Sequence, residues 1–149
     1  MPELSEYRAR DFEHLWELDQ RCFPTGIAYS REELAYYLRD NTAVCLIARE
    51  REQILGFILA HRDRRGFGHI VTVDVDPAAH RSGIGSALMQ AAEERLLRAG
   101  CQSVFLEVAV NNLPALAFYK KHGYSVIKSL RRYYPGGLDG LLMRKQLAG

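Results

Sequence analysis

A chain of 149 residues, 48% hydrophobic and 26% charged, has the size and balance of one globular domain, and the whole of 1–149 is read as a single unit. Its formal net charge of +2 gives no electrostatic footing for general binding to nucleic acid or to a membrane surface. No apolar run nears the roughly 20 residues of a membrane span, no signal-peptide core opens the sequence, and three scattered cysteines suit a reducing compartment, so a cytoplasmic protein is expected.

Residues 4–9 alternate weakly and predict a first strand. A helix is expected over 11–23, with Phe12, Leu15, Trp16 and Leu18 at helical spacing and Asp11 as its N-cap. The stretch 30–40 is a second helix, opened by a capping box of Ser30 and Glu33. Two apolar runs, 42–50 and 54–62, are joined by a short polar link and read as a hairpin. The turn 62–68 leads to a third strand of the same meander, 69–76. A long helix over 80–100 carries Ile84, Leu88, Ala92 and Leu96 along one face and stops at Gly100. A strand over 103–110, a short helix over 114–123, and two strands over 124–134 and 140–147 complete the chain. The order β-α-α-β-β-β-α-β-α-β-β predicts an α/β (α+β mixed-sheet) fold with helices on the faces of the sheet.

"SVFLEVAV", residues 103–110, places one carboxylate in an otherwise apolar strand. Alternation puts Glu107 on a face with Phe105 and Ala109, and Val104, Leu106 and Val108 on the other. An ionised group there is expected to be paired, as with an arginine, or to be used as a base. Residues 80–86, "HRSGIGS", lie where a strand turns into the long helix. The first N–H groups of a helix lack intrahelical partners and carry the positive end of its dipole, and glycines at 83 and 85 let an anion approach them. The same glycines also suit a turn that only packs helix on sheet. The five histidines show no i, i+4 pairing and the cysteines no C-x-x-C spacing, so no metal is expected.

Taken together, "HRSGIG", Asn112, Tyr119 and Gly123-Tyr124 resemble the signature of the GNAT N-acetyltransferase superfamily. The sequence departs from that signature at its first position, where His80 replaces Arg or Gln and Arg81 follows. "LEVAVNNLPALAFYKKHGY" with "RRYYPGGLDGLLMRK" is similar to the branch that acetylates protein N-termini, of the ribosomal-protein alanine type. The resemblance implies a GNAT acyl-CoA fold in which the third and fourth strands of the central part splay apart around pantetheine. It implies acetyl-CoA as co-substrate, Glu107 as general base and Tyr119 as general acid. Cofactor contacts are implied from Val73, Asp74 and Val75, from His80, Arg81, Ser82, Gly83, Ile84, Gly85 and Ser86, and from Asn112 and Tyr119. Tyr133 and Tyr134 would line the acceptor site, although alternation lets at most one of them point into a given groove. His69 would either assist the base or end its strand in water.

An amine attacks a thioester only when neutral, and an α-amine titrates near 7.7–8.0 against about 10.4 for lysine. Deprotonating lysine thus costs about 3.4 kcal/mol more, and a single carboxylate suits an N-terminus better. The expected partner is a protein or peptide N-terminus or a small amine, with the chain acting as monomer or homodimer. The alternatives are a lysine or small-molecule acetyltransferase and a non-catalytic acyl-CoA sensor.

Overall fold

A computed structural model describes residues 2–148. Seven strands form one sheet in the order β1-β2-β3-β4-β5-β7-β6. They are β1 (Glu3–Glu6), β2 (Val44–Glu50), β3 (Gln53–Arg62), β4 (Gly68–Val75), β5 (Ser103–Ala109), β6 (Ser125–Tyr134) and β7 (Leu138–Gln146). Every pairing is antiparallel except β4 with β5. The helices are α1 (Phe12–Cys22), α2 (Arg31–Leu38), α3 (Ile84–Arg98) and α4 (Leu113–Lys121), so the expected order of elements and the mixed sheet both hold.

Alternation in the central strands sorts the core into two layers. Leu46, Ala48, Ile58 and Ala60 pack on one face with Leu88, Ala92 and Leu96 of α3. Ile47, Phe57 and Leu59 pack on the other with Leu15 and Leu18 of α1 and Leu34 of α2. Full burial of such a side chain contributes about 1.5–3 kcal/mol, which fixes which helix stripe meets which face. The Ser30–Glu33 capping box forms as expected and starts α2.

Asp11 does not cap α1. Its buried carboxylate accepts from the Arg8 N–H at 2.9 Å and from Arg49 of β2 at 2.6 Å, so it ties the helix start to the sheet instead. The expected first strand ends early, at Glu6, because residues 9–11 wind into a 3-10 turn. In β4 the register against β3 shifts between Leu59 and Ala60. This bulge breaks the alternation. Val73 packs on the α3 face, while His69 stands opposite His61 and Asp74 opposite Phe57, whose side chain faces α1 and α2. His69 and Val73 therefore do not share a face as strict alternation predicts.

Candidate active site

Past Val75 the chain makes a 3-10 turn over Pro77–Ala79, held by the Asp76 carboxylate on the Ala78 N–H at 3.0 Å. Arg81 (φ 65°) and Gly83 (φ 83°) then take left-handed backbone, which swings the chain so that α3 begins at Ile84 rather than at residue 80. The Ala87 N–H closes the first helical bond on Gly83, so the N–H groups of Ile84, Gly85 and Ser86 have no acceptor within the helix. The two glycines serve different needs. A Cβ at 83 would meet nothing within 4 Å, so that position is set by its φ; one at 85 would stand 3.2 Å from the Phe118 ring of α4. His80 turns inward, its Nε2 donating to the Val75 carbonyl at 2.9 Å. Ser82 gives its hydroxyl to the Ala79 carbonyl, and Ser86 Oγ lies 2.9 Å from His122 Nε2.

β4 and β5 pair at only two positions, Gly68 with Val104 and His69 with Phe105, and then separate. Because the Asp76 N–H bonds to Leu55, the antiparallel ladder directs the backbone groups of Asp74 toward Phe57 and those of Val73 and Val75 into the gap. Asp74 consequently offers the gap neither side chain nor backbone, contrary to its expected place among the cofactor contacts. A cleft of about 1160 Å³ runs through this gap. It brings together Val73, Val75, His80, Arg81, Gly83, Ile84, Gly85, Ser86, Glu107, Asn112, Tyr119, Tyr133 and Tyr134. Ser82 and His69 do not line it.

Glu107 lies two residues beyond the last β4–β5 pair. Its Oε1 meets His69 Nε2 at 2.8 Å, with the two side chains 23% and 20% exposed. The partner is thus a histidine from the neighbouring strand rather than an arginine, and His69 is held between protein groups rather than ending its strand in water. Tyr119 projects from α4, and burial pushes its phenol above the usual tyrosine range, which keeps the hydroxyl protonated. Asn112 caps α4 by accepting from the Ala115 N–H at 3.3 Å while its residue also lines the cleft. Both Tyr133 and Tyr134 face the cleft, contrary to strict alternation. Arg132 takes φ 51° and the β6–β7 register breaks between Leu130 and Tyr134, which turns two successive rings to one side. The rings meet edge to face at 4.9 Å.

Two features escaped the sequence reading, the histidine beside His69 and a buried pair of acids. His61 Nε2 lies 2.9 Å from His69 Nδ1. Asp19 of α1 and Asp74 of β4 are buried against each other, and burial followed by the Asp19 charge raises the Asp74 carboxyl well above the ordinary range. Phe23, Pro24, Ile27 and Tyr29, from the link between α1 and α2, form an apolar wall of the cleft. Tyr124, expected only as part of a signature, is sealed in the core, where its hydroxyl donates to Glu93 at 2.8 Å beside the Glu93–Lys145 pair.

Comparison with known proteins agrees with this geometry. Residues 12–124 match the model of the acetyltransferase (GNAT) family. An N-alpha-acetyltransferase of Sulfurisphaera tokodaii is 31% identical over 160 residues, covering 95% of this chain and 94% of that protein. One of Saccharolobus solfataricus is 35% identical over 157 residues, covering 97% and 92%. The crystal structure of the ribosomal-protein-S18-alanine N-acetyltransferase from Escherichia coli has the same fold, with a TM-score of 0.87 and 23% identity, covering 100% of this chain and 96% of that one. The loop that opens α3, the parted strands and these relatives agree: the chain belongs to the GNAT acetyltransferase family.

Proposed function

We propose that the protein transfers the acetyl group of acetyl-CoA to the α-amine of a protein or peptide N-terminus, with Glu107 as base and Tyr119 as acid. The observation that carries this reading is the placement of Glu107, the sole carboxylate among the described residues lining the cleft. From Val75, where the phosphate loop begins, back to His69 is six residues of strand, or about 20 Å at about 3.3 Å each. One end of the cleft thus offers free helix N–H groups and the other a carboxylate.

Acetyl-CoA fits the first end and the gap. The N–H groups of Ile84, Gly85 and Ser86 and the positive end of the α3 dipole suit a pyrophosphate, with open space at Gly83 and Arg81 and Lys121 on the rim. The inward-facing backbone of Val73 and Val75 would pair with the amides of pantetheine, His80 releasing or sharing the Val75 carbonyl. Bound there, acetyl-CoA supplies an activated thioester. Glu107 takes a proton from the incoming ammonium group, and the neutral amine attacks the thioester carbon as the C–N bond forms and the C–S bond breaks. The Tyr119 hydroxyl, kept protonated by burial, gives its proton to the departing thiolate and is restored by the second proton that the nitrogen sheds as the amide forms. Tyr133, Tyr134 and the Phe23–Pro24 wall flank the acceptor. An α-amine, which titrates near neutrality, asks less of one carboxylate than a lysine does.

The test is acetyl transfer to a peptide library that varies the first two residues and keeps one internal lysine, followed by mass spectrometry. Acetyl groups confined to α-amines, with a residue preference, are expected. Label on lysine, or on free amines and no peptide, would overturn the reading.

A further inference from the structure

Glu107 is the inner end of a chain of ionisable groups that leads out of the cleft. From Glu107 Oε1 it runs 2.8 Å to His69 Nε2, then from His69 Nδ1 2.9 Å to His61 Nε2, and from His61 Nδ1 3.5 Å to Asp40 Oδ2. The two imidazoles are fixed by the sheet, since His61 and His69 are direct cross-strand partners with their rings edge to face at 5.1 Å. The Tyr37 ring of α2 lies 5.6 Å from His61. The groups facing the pair are Glu107 from β5, Tyr37 from α2, Asp40 from the turn after α2, and Asp63 beyond the end of β3.

Burial and the neighbouring His69 hold the His61 pKa below its ordinary value, so the ring is neutral at physiological pH. A neutral imidazole accepts a proton on one nitrogen while donating from the other, which a charged one cannot do. Asp40 is kept ionised by the N–H and hydroxyl of Thr42. It borders a separate surface recess with Arg62, Asp63 and Arg65, away from the cleft. Among the described residues, His61 Nδ1 makes no hydrogen bond, and the Asp40 carboxylate stands at ion-pair distance from it, 3.5 Å.

We propose that His69, His61 and Asp40 form a relay that carries the proton collected by Glu107 out to solvent through this recess. The reaction needs such an exit. An ammonium group sheds two protons when it becomes an amide; one ends on the thiol of CoA and one must leave. With acetyl-CoA and acceptor filling the cleft, Glu107 has no open path to water on that side. The protonated Glu107 passes its proton to His69 Nε2, the His69 Nδ1 proton moves to His61 Nε2, and the His61 Nδ1 proton moves to Asp40, which releases it to water. Exchange with solvent restores the starting tautomers between turnovers. The inference rests on the base assignment of Glu107 but not on which amine is acetylated.

The test is steady-state acetylation by His61→Ala, with a second variant, His61→Gln, to replace it should the first fail to fold. The expected result is a fall in kcat of about tenfold or more at unchanged KM for acetyl-CoA, with added imidazole restoring turnover in the variant and leaving the wild type unaffected. Asp40→Asn, at the outer end, is expected to lose a few-fold and to steepen the dependence on buffer concentration. Wild-type kcat in a folded His61 variant, or a loss that imidazole does not relieve, would overturn the relay. Failure of the wild type on peptides alongside activity on another amine would overturn the acceptor assignment instead, and the same variants would then test the relay with that amine.

Discussion

Asp74 and Glu107 stand on neighbouring strands and face the same side of the sheet, yet their surroundings are opposite. Asp74 is 1% exposed, pressed against Asp19, and accepts the Thr72 hydroxyl at 2.5 Å. Glu107 sits where β4 and β5 have just parted, open to the cleft on one side and bonded to His69 on the other. Two tyrosines repeat the contrast. The rings of Tyr119 and Tyr124 meet at 6.0 Å, but Tyr119 lines the cleft while Tyr124 is locked onto Glu93 in the core. In both pairs one residue borders the cleft, where the proposed reaction would use its proton, and the other is sealed among protein groups. A few ångströms of strand separation thus divide chemistry from architecture.

The strongest way to break that division is at Glu107. Glu107→Gln keeps the shape of the side chain and is expected to lower kcat by about 10²–10⁴-fold with acetyl-CoA affinity retained, read by kinetics and calorimetry. Unchanged turnover would remove Glu107 from the mechanism. The tyrosine pair sharpens the contrast with one oxygen atom each. Tyr119→Phe should lower kcat by about 10²-fold with little change in stability. Tyr124→Phe should leave kcat intact but cost about 1–3 kcal/mol, because it strips a donor from the buried Glu93 carboxylate; denaturant melts measure it.

A smaller effect belongs to the sealed acids. The folded state holds the Asp74 proton more tightly than the unfolded chain does, so this contribution is full below the ordinary carboxyl range near 4 and is lost as pH rises toward the raised value. The slope for one proton is at most about 1.4 kcal/mol per pH unit. Asp74→Asn, whose amide can donate to Asp19, is expected to flatten the melting temperature between about pH 4 and 8 while leaving activity intact. A variant with the wild-type slope would show that Asp74 holds its proton no more tightly in the folded state.

Glu107 was legible in the sequence because a lone charge in an apolar strand asks for an explanation, and periodicity alone carried the order of elements. The His61–His69 contact was legible in principle: the two residues flank the turn 62–68 symmetrically, so an antiparallel hairpin sets them face to face. The backbone irregularities were not legible. The bulge in β4 and the left-handed Arg81 and Arg132 leave no trace in hydrophobic periodicity, yet with them α3 starts four residues later than expected and both tyrosines reach the cleft. The Asp19–Asp74 pair joins a helix to a strand 55 residues away, a distance over which no local pattern speaks.

The parting of β4 from β5 also divides the chain in time. Strands β1 to β4 come from residues 3–75, whereas β5, β7 and β6 come wholly from 103–146, and two residue pairs join the halves. A domain generally folds as a unit, so the first half waits for the second during synthesis. Residues up to Gly100 hold the loop before α3, both histidines and Asp40, but only one wall of the cleft and not Glu107; the cleft is complete only when the second half closes the seam at His69 and Phe105.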